Sequence, residues 1–333
     1  MLRIRDFLET YDDLIFAVVS YNHPPEGYLA FLRYYPCKSG GRMRGDKGFR
    51  KIGSTEESFD FLEETFPGYV RPLKTANVRL QCVPHDNVRI VYHPIGRLEE
   101  ILSNPGDELE EKAKKIAELL DFLSDDKMGV TGSLLVGLHN PGSSDIDFVV
   151  YGLKNYEEVR MFLKESFQKN NAIRPLDNLE WKAAYKKRFP VQKTLSFDDF
   201  LWHGKRKYHK GVIDGTIFDI LLVRDFDEIK ESKERVFKRY NKVKVRCHVL
   251  DSSLAFDSPA VYKVQCEADE RLTDVVSYTH TYAGQAFEGE EIEVAGFLEK
   301  SLDDDVHRVV VGTTREAGGE YIRVLESATE VLS

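Results

Sequence analysis

The sequence predicts an α+β protein built in three consecutive parts, and three observations carry that reading. Apolar runs with strand character alternate with helical periodicity over most of the 333 residues. A break at Ser103-Asn104-Pro105-Gly106 separates residues 1–100 from the remainder of the chain. From Lys242 onward the pattern turns to short β segments split by turn residues. The expected organisation is an N-terminal α/β region (1–100), a central mixed sheet flanked by helices (105–240) and a C-terminal small all-β barrel (241–333).

Within the first part, Asp13–Ser20 and Tyr28–Tyr35 are apolar and β-branched or aromatic, and Asn22 to Gly27 between them is a turn cluster, so a hairpin is expected. Ser54 to Phe66 opens with a capping pattern and reads as a short helix. Val78–Val83 and Val88–Tyr92 read as two further strands. In the second part, Leu109, Ala113, Ile116, Leu120 and Leu123 recur at three- and four-residue steps, which predicts a helix over 107–123. Asp145–Tyr151 and Ile217–Val223 read as strands. Tyr156–Phe167, Trp181–Arg188 and Ser196–Trp202 read as helices, and Lys230–Arg239 as a charged helix or linker. In the third part, strands are expected at 243–250, 260–266, 291–298, 306–311 and 321–324.

The formal charge of −9 conceals an uneven distribution. Residues 1–181 carry −6, residues 182–246 carry +9, and residues 247–333 carry −12. A basic middle suits an anion, and an acidic end repels nucleic acid, so a protein-docking or structural role is expected for the last part. No apolar run reaches the length of a membrane helix, and the N-terminus has no apolar signal core, so no membrane partner and a cytoplasmic location are expected. Cys37, Cys82, Cys247 and Cys266 are widely spaced, with no C-x-x-C pair, which argues against a zinc ribbon and against a disulfide framework.

The chemistry-bearing stretch is Thr131-Gly132-Ser133, followed by Ser144-Asp145-Ile146-Asp147-Phe148. Gly132-Ser133 follows a short strand and precedes a helix-like segment, where free N–H groups suit phosphate oxygens. Asp145 and Asp147 are two apart on an expected strand and so face one way, with Ile146 and Phe148 facing the core. Two adjacent carboxylates call for a cation, and hard oxygen ligands suit Mg²⁺ or Mn²⁺. Asp219, inside the apolar run Ile217–Leu222, joins them if its strand is a neighbour. Its bland alternative is a buried salt bridge to Lys210 or Arg224. Lys205, Lys207 and Lys210 in the run before that strand suit a triphosphate or an RNA backbone, with a solvated loop as the alternative. The basic segment 38–51, with Tyr34, Tyr35 and Phe49 nearby, suits single-strand binding or a mobile hairpin tip. His139 lies near the motif and reads as structural or as a phosphate orienter.

This set, Gly-Ser and then D-I-D on a strand with a later Asp on an apolar strand, resembles the DNA polymerase β-like nucleotidyltransferase superfamily over about residues 107–225. The layout also looks like archaeal proteins grouped with nucleotidyltransferases. The resemblance implies a nucleotidyltransferase fold for the central part. It implies Gly132 and Ser133 as phosphate contacts, Asp145 and Asp147 as metal ligands, and Asp219 as the carboxylate that activates an acceptor hydroxyl. The implied reaction is Mg²⁺-dependent transfer of NMP from an NTP, possible RNA acceptors reaching the protein through segments 38–51 and 182–210. The sequence departs from minimal members at Leu134-Leu135-Val136 and in the late position of Asp219. The alternative is a non-catalytic nucleotide or RNA sensor on the same fold. In the last part, Phe287–Lys300 resembles the first strand of an OB-fold barrel.

Overall fold

The computed structural model describes residues 2–169, 172–189, 194–229, 235–314 and 316–325. Its described residues form two compact units. One comprises 1–71, 79–176 and 208–229, and the other 72–78, 177–207 and 230–333. The sequence suggested three segments. The difference arises because the first two share cores, and because an insertion from the second belongs with the third.

The first unit opens with strands β1 (Phe7–Thr10), β2 (Ile15–Val18), β3 (Gly27–Pro36), β4 (Arg42–Arg44) and β5 (Lys47–Lys51). After helix α1 (Thr55–Thr65) come β6 (Val70–Leu73), β7 (Val78–Pro84) and β8 (Val88–Tyr92). Ser54 caps α1 by accepting from the Glu57 amide, as the sequence suggested. The eight strands make one sheet in the order β4-β5-β3-β2-β1-β8, with β7 also on β3 and β6 on β7. Segment 38–51 holds the β4–β5 hairpin, the secondary structure that its second reading expected. The stretch before the Ser103–Gly106 break is helix α2 (Pro94–Ser103), which starts with Pro at its first turn, where the missing N–H costs nothing.

Helix α3 (Glu108–Leu119) buries the predicted face, with Leu109, Ala113 and Ile116 inside, and Asp107 caps it by accepting from the amides of Leu109 and Glu110. The second sheet of this unit runs β11 (Ile173–Arg174), β12 (Lys210–Ile213), β13 (Thr216–Val223), β10 (Ile146–Tyr151) and β9 (Met128–Thr131). Only β10 and β13 pair in parallel; the others are antiparallel. Helix α4 (Gly132–Leu135) follows β9, and α5 (Leu153–Ser166) follows β10. Two cores join the sheets. Phe7, Ile15, Tyr34 and Phe49 pack with Leu135, Val136 and Leu138. Ile4 and Tyr21 pack with Val149, Tyr151 and Val223. The N-terminal region thus buttresses the Gly132–Leu138 segment.

The second unit holds helices α6 (Asn178–Arg188) and α7 (Phe197–Arg206) and the strands β14 (Phe237–Asp251), β15 (Ala260–Gln265), β16 (Leu272–Ser277), β17 (Glu291–Ser301), β18 (His307–Val311) and β19 (Tyr321–Val324). The strand order is β14-β15-β16-β18-β17-β19, and β14 also pairs with β17, which closes five strands into a ring. Its interior is apolar, with Val249, Tyr262, Val275, Ile292, Val294 and Val309 fully or nearly buried. Phe287–Lys300, expected as the first strand, lies in the fourth in chain order. The first is β14, which begins at Phe237 and so takes in Phe237–Arg239 from the supposed linker. Residues 230–234 of that linker, residues 190–193 of the basic stretch and the tail 326–333 lie outside the described residues.

Two sequence expectations fail here for a shared reason: pairing between strands is invisible in spacing. Cys247 and Cys266 form a disulfide, because the β14–β15 register that sets His248 against Gln265 sets the two cysteines opposite each other. Cys37 and Cys82 are free. The basic residues of β14 also pair with the acidic residues that followed them in sequence, Arg239 with Glu299, Lys242 with Glu320 and Lys244 with Glu293. The charge split at residue 246 therefore cut through one sheet. Among the described residues no helix is long and apolar enough to cross a membrane.

Candidate functional site

The site is laid out by strand register. Lys210 on β12 pairs with Asp219 on β13, Asp219 with Asp147 on β10, and Asp147 with Thr131 on β9. Directly paired residues project from the same face of a pleated sheet, so these four form one row. Ile146 and Phe148, alternating with Asp147, are fully buried on the other side, as the sequence suggested. Asp145 is exposed and lies one residue before β10 begins, so it flanks the row from a loop and is not on the strand. The structure therefore brings Asp145, Asp147 and Asp219 to one end of one sheet.

Gly132 follows Thr131 with φ of +66°, a left-handed conformation that favours glycine. A Cβ at this position would overlap Oδ2 of Asp147. The glycine is thus what lets the turn and the carboxylate occupy the same space. The helix-like segment expected after Gly132-Ser133 is a single turn, Gly132–Leu135, with little dipole. What it offers a phosphate is the local set of backbone N–H groups and Ser133. The side chain of Ser133 shares a hydrogen bond with the hydroxyl of Tyr34, whose pKa is raised chiefly by burial.

Charge at the row is unevenly settled. Burial, and next the charge of Asp219, pushes the Asp147 carboxyl above the usual carboxylate range, against the opposing pull of Arg5 and Lys51. Asp219 is ion-paired: Lys210 Nζ donates to Oδ2 at 3.0 Å and lies 2.9 Å from Oδ1. Burial alone would lower Lys210, but the charge and hydrogen bond of Asp219 outweigh it and raise it. Despite that proximity, Oδ1 of Asp219 is buried and receives no aligned hydrogen bond among the described residues. A buried carboxylate oxygen that accepts no aligned hydrogen bond, beside a second carboxyl that resists ionisation, leaves room for a cation that binds oxygen. Asp147 and Asp219 offer hard oxygen donors of the kind that Mg²⁺ or Mn²⁺ takes; among the described residues they do not close into a three-ligand group with Asp145.

The lysines named from sequence are placed differently. Lys210 is engaged with Asp219, the salt-bridge alternative, whereas Arg224 stacks on Tyr21. Lys207 belongs to the second unit and is buried, donating to the carbonyl of Thr281 at 2.9 Å. Lys205 is exposed on α7 of that unit. Packing thus uses two of the three lysines that charge alone assigned to phosphate. His139 donates from Nε2 to Oδ2 of Asp107, the α3 cap, at 2.7 Å.

Further cations near the row come from the N-terminal region, where sequence reasoning singled out only segment 38–51. Arg5 has φ of +74°, an unusual conformation for a residue with a Cβ. Its carbonyl accepts from Thr131 Oγ1 at 2.8 Å, and its amide donates to Val18. Burial lowers the Arg5 pKa, while Asp147 and, more weakly, Asp219 hold it up. Lys51 on β5 pairs in register with Tyr34, the residue bonded to Ser133, and its charge acts on Asp147. Arg42 on β4 donates to Ser144 Oγ at 2.8 Å and to the Leu138 carbonyl at 3.3 Å, pinning the loop between Ser133 and Asp145. The visible signal for Arg42, Lys51 and Tyr34 was the basic segment with its neighbouring rings; nothing in spacing marked Arg5.

Residues 112–207 match the family described as a nucleotidyltransferase domain. That span includes Gly132, Ser133, Asp145 and Asp147 and ends before Lys210 and Asp219. Over 339 aligned positions the chain is 42% identical to Uncharacterized protein MJ1086 of Methanocaldococcus jannaschii, covering 97% of this chain and 99% of that protein. No solved structure matches.

Proposed function

Because the chain belongs to the nucleotidyltransferase family, with its polymerase β-like catalytic domain, we propose that it transfers NMP from an NTP to a hydroxyl acceptor. The observation that carries this reading is the register that sets Asp147 against Asp219, with Gly132-Ser133 next to them. The acceptor oxygen bonds to the α-phosphorus, the bond from that phosphorus to the bridging oxygen breaks, and pyrophosphate leaves with its electron pair. The acceptor proton passes to the Asp219 carboxylate or to water.

Mg²⁺ or Mn²⁺, when bound by Asp145, Asp147 and Asp219, supplies charge neutralisation at the phosphates and lowers the acceptor hydroxyl's pKa. The chain's own groups do the rest. Ser133 and the amides after Gly132 orient the triphosphate. Lys51 and Arg5 offset its charge, in the role that charge patterning alone assigned to Lys205, Lys207 and Lys210. Arg42 holds the loop that carries Ser144 and Asp145. The second unit's ring, with β16 and β18 parallel and β14 closing on β17, supports the OB-like reading of the C-terminal part.

The test is pyrophosphate release and label transfer from each α-labelled NTP with Mg²⁺. Asp147→Asn is expected to lose turnover while remaining folded, and undiminished transfer by that variant defeats the proposal. A second reading, a nucleotide sensor without turnover, draws on the Lys210–Asp219 ion pair, which occupies the third carboxylate. It predicts NTP binding with no pyrophosphate released, and Lys210→Met leaves it so.

A further inference from the structure

The turn that carries Ser133 does not hold its own shape. Gly132–Leu135 is a single helical turn, too short to be stable by itself. A pair of backbone bonds closes its far end. The amide of Gly137, a residue with φ of +64°, donates to the Leu134 carbonyl at 3.3 Å, and the amide of Leu138 donates to the Ser133 carbonyl at 2.9 Å. This is the closure that a left-handed glycine gives a helix end. It ties the backbone of Ser133 to that of Leu138, so whatever holds Leu138 also holds Ser133.

Alternate carbonyls of the segment then accept from arginines. Leu134 accepts from Nε of Arg97 at 3.2 Å, Val136 from Nη1 of Arg44 at 3.5 Å, and Leu138 from Nη1 of Arg42 at 3.3 Å. None of these arginines belongs to the sheet that carries the carboxylates. Arg97 is on α2, and Arg42 and Arg44 leave β4 on one face, two residues apart.

The arginines are fixed in turn. Arg97 pairs through Nη2 with buried Glu110 and through Nη1 with Glu100 at 2.8 Å. Arg44 pairs through Nη2 with Glu9, which is fully buried, at 2.7 Å, and donates from Nη1 to the Tyr92 hydroxyl at 2.9 Å. That hydroxyl itself donates to Glu9. A buried carboxylate demands its cation, so each guanidinium stays where its glutamate is and directs a further N–H at the turn. The apolar core holds only the side chains of Leu135, Val136 and Leu138. Packing of side chains leaves the peptide planes between them free to rotate, and it is these planes that the arginines hold. A peptide plane carries its carbonyl and the next amide on opposite edges. Fixing the Ser133 carbonyl therefore also fixes the direction of the Leu134 amide.

We infer that Arg44 and Arg97 are positioning residues for the nucleotide: they set the peptide planes of the Ser133 turn before the triphosphate arrives, which lowers the ordering cost of binding it. The inference rests on the reading of Ser133 and its neighbouring amides as phosphate contacts. It gives Glu9, Tyr92 and Glu110, far from the reacting atoms in sequence, a part in substrate binding.

Arg97→Lys keeps a cation beside Glu110, and Arg44→Lys keeps one beside Glu9, but each loses a donor to the turn. The full chain is compared as wild type, single variants and double variant. Amide hydrogen exchange, read without nucleotide or metal, should rise at least ~10-fold over residues 133–138 in the double variant and stay unchanged in α5 and β13. Isothermal titration with inorganic tripolyphosphate in Mg²⁺, a probe with the phosphates and no base, should show a Kd raised at least ~10-fold. In steady-state transfer, the KM for NTP should rise by the same factor with kcat held within about 2-fold, whereas a loss of folded protein lowers the apparent kcat and leaves KM unchanged. Arg79→Lys, at an arginine paired with Glu56 and Glu63 of α1, should match the wild type throughout. A wild type that binds tripolyphosphate but transfers no NMP refutes the transferase reading and leaves this one standing. Unchanged exchange over 133–138 in the double variant, raised exchange with wild-type tripolyphosphate affinity, or no tripolyphosphate binding by the wild type would each overturn the proposal.

Discussion

Two substitutions in the carboxylate row should have opposite effects on stability although they are chemically identical. Asp147 resists ionisation in the folded chain because it is buried and faces Asp219. Asp147→Asn removes a charge that the fold disfavours, so in EDTA at neutral pH it should unfold at an equal or higher urea concentration. Asp219 is instead the partner of Lys210, at 2.9 and 3.0 Å, and their side chains are 16% and 21% exposed. Asp219→Asn strands that ammonium. Removing one member of a buried pair costs about 3–5 kcal/mol, and the residual exposure here favours the lower end, about 3 kcal/mol. Adding Lys210→Met to Asp219→Asn should recover most of this loss, since the pair is then replaced and no longer broken. The assay is urea unfolding of the four proteins in EDTA. Equal losses for the two Asn variants, or no recovery in the double variant, would refute the assignment of Lys210 to Asp219 and the account of why Asp147 resists ionisation.

Local geometry yields three more expected outcomes. Gly132→Ala should reduce NMP transfer by at least ~100-fold: the left-handed backbone costs about 1 kcal/mol, and the added methyl displaces Asp147; transfer at the wild-type rate would show that the close approach is irrelevant. Lys51→Gln and Tyr34→Phe should raise the KM for NTP more than they lower kcat, by about 10-fold for the lysine if one charge-assisted contact is lost; an unchanged KM in steady-state kinetics removes both from the triphosphate. His203, held neutral in the second unit, has its pKa pushed down to about 4 by burial, with its Nδ1 against the Asp199 carbonyl and its Nε2 accepting from the Val324 amide. The unfolded chain takes up this proton near pH 6.5, so stability is full above that value and falls as pH drops towards about 4, by about 3 kcal/mol. Urea unfolding against pH should show this slope in the wild type and lose it in His203→Gln.

The parts of the fold that are legible in the sequence are those whose signal is local. Helix α3 is visible because Leu109, Ala113 and Ile116 repeat on one face, and β10 and β13 because their apolar runs are long enough to stand out. Short or flanking elements are not. Helix α2 looks like a boundary because Pro94 and the Ser103–Gly106 break bracket it, and β1, β12 and β16 offer four to six residues without alternation. At the site, Gly132, Ser133, Asp145 and Asp147 are recognisable because they lie close together in the chain. Lys210 stays open in the sequence, between phosphate and a salt bridge to Asp219, because its partner, nine residues away, is set by a turn and a register. Arg5 has no signal at all, and Tyr34 stands out only as a ring beside the basic segment 38–51; the core that joins the N-terminal sheet to Leu135–Leu138 is what places Tyr34 at Ser133. Charge summed along the chain fails for the same reason: β14 and its acidic partners are distant in sequence and paired in space.

The central claim, that the Asp147–Asp219 row with Gly132-Ser133 binds an NTP through a divalent cation, is tested most directly by thermal unfolding of the full chain with each NTP in Mg²⁺ and in EDTA, alongside Asp147→Asn. A nucleotide held at about 100 times its Kd stabilises by about 2.7 kcal/mol. The account predicts a shift of that order with at least one NTP, present in Mg²⁺, absent in EDTA and absent in the variant. A shift of equal size in EDTA or in Asp147→Asn, or no shift with any NTP, would contradict it.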